Sequence, residues 1–321
     1  CSSALDMAAI LSDIGPGDSF IVPSYTFVSS ANAFVLRGAT PIFADSASDR
    51  PHMGLEEIQS VHKPGVKVVV VVHYAGVSYD LPEIAAWCEQ EGIMLVEDAA
   101  QSMGAWHGVD SERKHLGRFG ALATFSFHET KNITSGEGGC LVVNKESLWG
   151  RACVIWEKGT NRQAFFRGEV DKYGWVDAGS SFLPNEITMA QLLGQLEPLG
   201  SITSRRRHIW TRYFERFSNA LSMEHLPPDW RSETNGHLFY LCASSLEHRN
   251  EMLPALKASG IACHFHYQSL HKSAYAQRKG WSAHAPNANR FTDCLFRLPL
   301  HLGLTDDDVE RVIENVLHVW H

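Results

Sequence analysis

The chain has 321 residues, of which 44% are hydrophobic and 20% are charged, enough apolar material for a substantial core divided between two domains. Its formal net charge of -8 argues against nucleic acid as the main partner, although a local basic patch can still bind a phosphorylated ligand. No apolar run reaches the roughly 18 residues that a membrane span requires. We therefore expect neither a nucleic-acid partner nor a membrane partner, and no signal peptide.

The chain contains seven cysteines and 17 histidines. The cysteines are odd in number and form no CxxC pair, which is typical of reduced thiols in a cytoplasmic protein. Among the histidines, His264, His266 and His271 are candidate metal ligands. No Cys/His quartet with zinc spacing accompanies them, so we expect no metal site.

The first half of the chain alternates patterns of helices and strands. Apolar residues at helical spacing predict helices, and short apolar or β-branched runs predict strands. The expected helices are residues 1–12, 28–37, 55–62, 81–91 and 149–158, and the expected strands are residues 19–23, 40–45, 67–73, 93–97, 121–126 and 140–143. This alternation predicts a mostly parallel sheet, with residues 140–143 as an antiparallel strand and the β-branched run 67–73 covered on both faces.

The second half predicts a smaller domain. Residues 159–179 form a long polar stretch that is rich in charges and aromatic rings, which is typical of a functional loop. We expect a long helix from residue 186 to about 221, interrupted near 198–200, whose second part includes a helical pattern at 206–218. A strand pattern at 237–243 and helical patterns at 247–259 and 306–320 follow. We place the domain boundary at residue 200, with a large domain at 1–200 and a small α+β domain at 201–321.

Two chemically reactive side chains follow predicted strands. Lys131 lies in a polar segment just after the run 121–126, and Asp98 follows the run 93–97. In open α/β sheets, ligands bind where the carboxyl ends of the strands converge. Pyridoxal phosphate (PLP) requires an amine that forms a Schiff base and a carboxylate against its pyridinium nitrogen. The pair therefore predicts a PLP site; the alternative for Lys131 alone is a solvated surface residue.

The segments FSFHETKN (125–132) and VEDAAQ (96–101) resemble the sugar aminotransferases of the DegT/DnrJ/StrS family. The resemblance covers almost the whole chain and includes PSYTF (23–27), HYAG (73–76), EKGTNR (157–162) and RLPL (297–300). It implies an α/β protein of PLP-dependent transferase fold type I, like aspartate aminotransferase, and a homodimer whose clefts are completed by the partner chain.

The resemblance also implies contacts to the cofactor. Lys131 would hold PLP and act in catalysis, and Asp98 would bind its ring nitrogen. Gln101 or a neighbour would bind the ring hydroxyl, and Phe27 would stack on the ring, with core packing as the alternative for Phe27. The phosphate would be bound by hydroxyl groups at Ser2, Ser3 and Ser126. An ordinary helix cap is the alternative for the first two.

One position departs from the commonest family pattern. Ser181 stands where an asparagine usually reaches the phosphate of the neighbouring subunit. A serine side chain is shorter, so we expect Ser181 to contribute less to cofactor binding.

Candidate substrate contacts lie in three segments. Arg162, Arg167 and Lys172 offer positive charges to the diphosphate of a sugar nucleotide, with arginine able to form a bidentate fork. The alternative is solvated surface charge. Tyr267 lies in a stretch that resembles the family's approach to the sugar, and His128 lies within the lysine segment.

The resemblance implies a two-stage transamination. The amino group would pass from L-glutamate to C4 of a dTDP-4-keto-6-deoxyhexose, in nucleotide-sugar biosynthesis for surface polysaccharide such as lipopolysaccharide or enterobacterial common antigen. Amination at C3 stays open, because the residues do not decide the regiochemistry. A related branch dehydrates the sugar with histidine in place of the lysine, so Lys131 favours transfer.

The sequence begins directly on the first predicted helix. By the resemblance, an N-terminal segment that would help bind substrate and pack the dimer is absent. A protein that binds PLP without turnover is therefore a further alternative.

Overall fold

The valine-rich run predicted at residues 67–73 forms a central strand of the main sheet. The structure, a computed structural model, describes residues 1–108, 113–231 and 233–320; residues 109–112, 232 and 321 of the two expected domains lie outside this description. The strands of the first half are β1 (Ser19–Pro23), β2 (Thr40–Ala44), β3 (Val66–Val72), β4 (Met94–Asp98), β5 (Trp106–His107), β6 (Lys114–His115), β7 (Leu122–Ser126) and β8 (Gly139–Val143). The main sheet has the order β2-β1-β3-β4-β7-β8, and β5 and β6 form a separate hairpin.

The predicted mostly parallel sheet is confirmed. Neighbouring strands from β2 to β7 run parallel, and β8 pairs with β7 in the antiparallel direction, with Ser126 opposite Gly139. Val68, Val69 and Val70 have no exposed surface, because helices cover both faces of β3.

Helices lie on both faces of this sheet. Six α-helices lie between residues 2 and 166 of the described chain: α1 (Ser2–Leu11), α2 (Ser29–Leu36), α3 (Leu55–Val61), α4 (Leu81–Gln90), α5 (Trp149–Trp156) and α6 (Arg162–Phe166). Along β1, Phe20 joins the core under α1 and α2, whereas Ile21 joins the core under α3 and α4. This alternation follows from the two-residue period of a strand.

A second, antiparallel sheet lies in the last third of the chain. Its strands are β9 (Phe239–Cys242), β10 (His264–Phe265) and β11 (Leu295–Leu298), in the order β10-β11-β9. The helices of the second half are α7 (Glu186–Leu196), α8 (Leu199–Ser218), α9 (Leu246–Ala258), α10 (Ala274–Lys279), α11 (Pro286–Cys294) and α12 (Asp306–Val319). Aromatic side chains such as Trp210, Phe239 and Phe296 form the core between them.

Helix α8 buries a charged residue among apolar neighbours. Arg206 lies on the same face as Ile209 and Tyr213. Its guanidinium donates hydrogen bonds to the carbonyl oxygens of Gly236 (3.0 Å), His237 (2.8 Å) and Leu300 (3.1 Å). Burial lowers the pKa of Arg206 to about 10. The three carbonyls replace the water that this guanidinium loses, so Arg206 holds α8 to the second sheet.

One expectation needs correction. Residues 159–179 are not a continuous loop, because they contain the short helix α6. The interruption expected near residues 198–200 of the long helix is confirmed: the helix breaks at 197–198 into α7 and α8, since Pro198 cannot donate a backbone hydrogen bond. Within the described residues, no helix is both long enough and apolar enough to cross a membrane.

The main sheet also buries a carboxylate next to Asp98. Glu97 has no exposed surface, and it accepts hydrogen bonds from the backbone N–H groups of Gly117 (2.8 Å), Phe119 (2.7 Å) and Gly120 (2.7 Å). The ring of His73 donates a further one at 2.9 Å. Burial alone raises the pKa of Glu97, but the His73 contact and the backbone donors outweigh burial and hold this pKa below its ordinary value of 4.5.

We predict that Glu97→Gln destabilises the fold by about 3 kcal/mol or more at pH 7, because it leaves buried donors without an acceptor. A lowered pKa means that the contribution of Glu97 is complete above pH 4.5 and is lost as the pH falls through the folded-state pKa. Urea unfolding at pH 7 and at several values below 4.5 should therefore show a flatter acid dependence in the variant. The exposed Glu56→Gln is the control, and equal losses in both variants would contradict the prediction.

Candidate active site

The ends of two neighbouring strands define the candidate site. Asp98 is the last residue of β4 and pairs with Thr124 of β7, and Ser126 is the last residue of β7. Lys131 follows in the turn that leads to β8. Because β4 and β7 are parallel, their carboxyl ends meet at one edge of the sheet, as the sequence predicted for Lys131 and Asp98.

Lys131 is half-buried, and its amine is close enough to Asp98 for the two charges to interact. Burial lowers the pKa of Lys131, the carboxylate of Asp98 partly offsets this effect, and the positive charge of Arg297 lowers the pKa further. Within the described residues the amine makes no hydrogen bond and no ion pair of ordinary length. It is therefore free to react with a carbonyl group.

Asp98 is buried, and α2 holds it in place. Its Oδ2 accepts a hydrogen bond from the hydroxyl group of Ser30 (2.7 Å), and its Oδ1 accepts one from the backbone N–H of Ala100 (3.1 Å). These two donors leave the carboxylate further acceptor capacity. A buried carboxylate beside a reactive amine fits the protonated ring nitrogen of PLP.

The site also gathers Gln101, Tyr267 and Phe27. The side chain of Gln101 accepts a hydrogen bond from the backbone N–H of Ala75 (2.7 Å) and donates one to the hydroxyl group of Tyr267 (3.2 Å). The ring of Tyr267 lies 6.0 Å from that of Phe27. Burial raises the pKa of Tyr267, so its hydroxyl group stays protonated and can donate.

Two aromatic rings of the first loop have opposite environments. Tyr25 is 1% exposed and belongs to the core, whereas Phe27 is 55% exposed. The Phe27 ring therefore does not pack in the core, which was the alternative role expected for it. Its free surface is available for stacking on a planar ligand.

A buried polar network fixes the lysine turn, and no sequence pattern indicated this network. Asn132, next to Lys131, accepts a hydrogen bond from the ring of His237 (2.8 Å) and donates to the carbonyl of Asn235 (3.3 Å). The side chain of Asn235 in turn donates to the carbonyl of Gln101 (2.8 Å). Burial lowers the pKa of His237 well below its ordinary value, so its ring is neutral. The network links the Lys131 turn to the Asp98 loop.

Glycine at position 76 makes room for this network. Gly76 has a φ of 76°, and a Cβ there would lie 2.1 Å from Oδ1 of Asn235. A larger residue would push Asn235 away from the site. This close approach of Asn235 explains why the last residue of the HYAG motif (73–76) is a glycine.

The hydroxyl groups predicted for phosphate binding lie in different surroundings. Ser126 is buried and accepts a weak hydrogen bond from the N–H of His128 (3.4 Å). Ser2 and Ser3 are exposed at the start of α1, and the hydroxyl group of Ser2 lies 2.8 Å from that of Ser29, the residue before the partner of Asp98. The start of α1 therefore lies close to the start of α2.

Apart from Tyr267, the predicted substrate contacts are not assembled around Lys131. The His128 ring bonds the Thr130 hydroxyl at 3.0 Å. Arg162 pairs with Glu157 (3.1 Å), Arg167 pairs with Glu169 (2.6 Å), and Lys172 is exposed. Ser181 is exposed and forms a backbone bridge with Glu157. Among the described residues, no hydrogen bond or ion pair connects these side chains with Lys131 or Asp98.

Among the described residues, no group of three or more His, Cys, Asp or Glu side chains could hold a metal ion. His266 bonds the hydroxyl group of Tyr74 (3.0 Å), and His271 bonds that of Ser24 (2.6 Å). Both rings serve as hydrogen-bond partners in the fold.

A lysine and a buried aspartate at adjacent strand ends of a mostly parallel sheet, covered by helices on both faces, define a PLP-dependent transferase of fold type I. The sequence profile of the DegT/DnrJ/EryC1/StrS aminotransferase family matches residues 1–317. The chain belongs to this family.

Solved structures support the same class. The aminotransferase TlmJ from Streptoalloteichus hindustanus is 29% identical, with a TM-score of 0.88 over 99% of this chain and 83% of that one. DesV from S. venezuelae is 28% identical, with a TM-score of 0.85 over 99% and 82%. Spr1654 from Streptococcus pneumoniae, described as a candidate sugar aminotransferase and solved in PLP and PMP forms, is 25% identical, with a TM-score of 0.87 for the PLP form over 99% and 85%. The predicted cofactor, PLP, is thereby confirmed.

We predict that Asp98→Asn lowers the pKa of Lys131 further, because the Asp98 carboxylate is the group that raises it. In protein freed of cofactor, the unprotonated amine would then be more abundant at a given pH. Competitive labelling with acetic anhydride between pH 6 and 11, read by peptide mass spectrometry, measures this pKa. The wild-type midpoint should lie below 10.5. The exposed Lys145 in the same sample is the control, and a higher midpoint for Lys131 in the variant would contradict the prediction.

Proposed function

We propose that the chain transfers an amino group from L-glutamate to C4 of a dTDP-4-keto-6-deoxyhexose, the activity of dTDP-4-amino-4,6-dideoxygalactose transaminase. The observation that carries the proposal is the reactive amine of Lys131 beside the buried carboxylate of Asp98. The name of Spr1654 supports a sugar as the acceptor. The segment 167–173 and the pair 180–181 support the particular transaminase by their resemblance to it.

Lys131 moves the protons in this proposal. When bound, PLP supplies an electrophilic carbonyl carbon and a ring that withdraws electrons from the substrate. The Nζ of Lys131 removes the proton from Cα of glutamate as a general base. In the second half of the reaction it returns a proton to C4 of the sugar as a general acid. Because its pKa is lowered, the unprotonated amine is more abundant at a given pH than that of an exposed lysine.

The other residues of the site hold and orient the ring. The Asp98 carboxylate, fixed by Ser30 and Ala100, keeps the ring nitrogen protonated. Phe27 offers its exposed face for stacking, and Gln101 is placed to orient the Tyr267 hydroxyl group toward the substrate. Tyr267 then acts as a donor to the sugar.

We assign the cofactor phosphate to the hydroxyl groups of Ser2, Ser3 and Ser126. The free N–H groups at the start of α1 favour an anion, and Ser2 is linked through Ser29 to the helix that holds Asp98. Ser181 is proposed to serve the phosphate of the partner subunit, with the smaller contribution expected of a serine.

The segment 157–181 is proposed to recognise the nucleotide diphosphate. Arg162 and Arg167 already pair with Glu157 and Glu169, so a diphosphate must compete with these carboxylates. Lys172 is exposed and meets no such competition. His128 is the remaining substrate candidate and lies in the turn that carries Lys131.

A homodimer is part of the proposal, because α7 is apolar on two faces. Leu192 is buried against the fold, whereas Ile187 and Leu193 are 82% and 60% exposed. Trp175, in the preceding segment, is 84% exposed. Exposed apolar patches of this kind mark protein interfaces, and a second copy of the chain is the partner expected in this family.

The proposal also includes a boundary between the large and the small domain at residue 200. It further includes a cytoplasmic location, which is supported by the free thiols of the described cysteines.

We predict that wild-type protein with PLP shows a cofactor absorbance band that changes on addition of L-glutamate and is restored by dTDP-4-keto-6-deoxyglucose. Lys131→Ala should lose covalent attachment of PLP, measured by borohydride reduction and mass spectrometry, and at least about 100-fold of the turnover rate. Lys145→Ala is the matched control, since this lysine is exposed.

The outcomes of this experiment separate the alternatives. A band that glutamate leaves unchanged would reject transamination and favour a protein that binds PLP without turnover. A product aminated at C3, identified by NMR, would reject the assigned position on the sugar. Release of water with no nitrogen in the product would favour dehydration.

We predict that Leu193→Asp converts the dimer to a monomer, because it places a charge in an apolar contact. Size-exclusion chromatography with light scattering measures the mass. Leu302→Asp, at an apolar residue that is 46% exposed outside α7, should leave the dimer intact. A monomeric wild type, or a dimeric Leu193→Asp at micromolar concentration, would refute the proposed interface.

A further inference from the structure

A cavity lies apart from the Lys131 site, between the β5–β6 hairpin and the first turns of α8, and we call it the hairpin cavity. Its volume is about 410 Å³, within the roughly 300 to 1,000 Å³ of small-molecule sites. The polar and aromatic residues along its wall are Trp106, Arg113 and His115 from the hairpin segment and Thr203, Ser204 and Arg207 from α8. Among the described residues, it shares no lining residue with the small space beside Lys131. The proposed transamination therefore leaves this cavity without a role.

Trp106 holds Arg113 at the cavity. The partner of Trp106 across the hairpin is His115, and the centres of the two rings lie 4.1 Å apart. The guanidinium carbon of Arg113 lies 4.8 Å from the centre of the Trp106 ring. Among the described residues, Arg113 forms no ion pair with a carboxylate. A contact with an aromatic face orients a guanidinium and leaves its N–H groups available as donors.

The described residues of the cavity wall carry positive charge and include no carboxylate. Arg207 supplies a second guanidinium, which donates a hydrogen bond to the carbonyl oxygen of Arg231 (2.9 Å) and is oriented by it. Burial lowers the pKa of His115, and the charges of Arg113 and Arg118 lower this pKa further. His115 thus indicates a positive local potential in a chain whose formal net charge is -8. Such a potential attracts an anion.

Helix α8 adds uncharged donors to the same wall. Leu199 and Gly200 in its first turn line the cavity, and the N-cap residue, Pro198, provides no side-chain acceptor for the N–H groups of that turn. The hydroxyl oxygen of Thr203 is buried and has no hydrogen-bond partner among the described residues. It lies 3.1 Å from the position that a Cβ on Gly104 would take, so it faces the hairpin segment. An unpaired buried hydroxyl group and a helix start both favour a ligand that accepts hydrogen bonds and carries negative charge.

We propose that the hairpin cavity binds a small molecule through its phosphate or diphosphate group. The oxygen atoms of a phosphate accept several hydrogen bonds at once, which matches the guanidinium fork of Arg113 together with the hydroxyl and N–H donors of α8. Arg113 and His115 already pack against Trp106, so this ring does not hold the rest of the ligand by stacking. The phosphate group therefore determines binding, and the volume of the cavity leaves space for a sugar or a nucleoside attached to it.

The first test measures the binding of pyrophosphate to the PLP-loaded protein by isothermal titration calorimetry. Arg113→Gln should raise the Kd about 10- to 100-fold, because it removes a charged donor of the site. Arg113→Lys keeps the charge but loses the fork, so its increase should be smaller. Arg278→Gln is the matched control, since Arg278 is also exposed and lies 5.7 Å from the centre of the Tyr275 ring. Thermal unfolding should show that all three variants are folded.

A second measurement assigns the binding to this cavity. A bound phosphate would offset the positive charges that lower the pKa of His115, so this pKa should rise when pyrophosphate is added. NMR titration of histidine-labelled protein with and without pyrophosphate measures the change, and His115→Gln identifies the resonance. The exposed His284 should not shift with pyrophosphate and is the internal control.

Competition experiments identify the molecule that carries the phosphate. Displacement of pyrophosphate by dTDP, with weaker dTDP binding to Arg113→Gln, would identify a nucleoside diphosphate as the occupant. The same result with glucose 1-phosphate would identify a sugar phosphate. None of these measurements depends on turnover, so a failure of the proposed transamination would leave this proposal standing.

Two results would overturn the proposal. If pyrophosphate binds equally well to the wild type and to Arg113→Gln, or binds to neither, the anion does not occupy the hairpin cavity. If neither dTDP nor glucose 1-phosphate displaces pyrophosphate, the cavity takes up an inorganic anion only and holds no phosphorylated small molecule.

Discussion

The site depends on the opposite directions of two adjacent side chains in β4, those of Glu97 and Asp98. Successive side chains of a strand point to opposite faces of the sheet, so the two carboxylates lie on different sides. Glu97 is fixed by three backbone donors and His73, and it holds the loop at 117–120 against the strand. Asp98, on the other side, accepts a hydrogen bond from Ser30 and interacts electrostatically with the Lys131 amine. A slip of one residue would turn Asp98 to the opposite face of the sheet, away from Ser30 and Lys131.

The charges of the cleft explain how one lysine can serve as both base and acid. Burial and Arg297 lower the pKa of Lys131, and Asp98 opposes them. The lowered pKa makes the unprotonated amine, which acts as the base, more abundant than in an exposed lysine, and the amine that has taken up a proton then acts as the acid.

Sequence patterns predicted the sheet and the positions of Asp98 and Lys131 at its edge, because these follow from local periodicity and from short motifs. The stacking role of Phe27 came only from the family resemblance, and the residues themselves left core packing open. They did not predict the link between Asn132 and His237, whose positions lie 105 residues apart and meet only through the tertiary fold. RLPL contributed to the family resemblance, yet its letters do not show that the Nε of Arg297 is buried without an acceptor among the described residues. The helix α6 was missed because charges and glycines dominate residues 159–179.

The segment 157–181 exposes a large apolar side chain and carries charged side chains that are not connected with the Lys131 site of the same subunit. The backbone bridges Glu157–Ser181 and Thr160–Trp175 join its two ends, and its arginines pair with carboxylates of the same segment. Trp175 nevertheless exposes 84% of its surface. Solvent does not compensate for such a large apolar side chain, whereas a second subunit would cover it. The same contact would bring Ser181 and the charged side chains to a partner's cleft, so the exposed apolar surface and the unassembled substrate contacts have one common explanation in the proposed dimer.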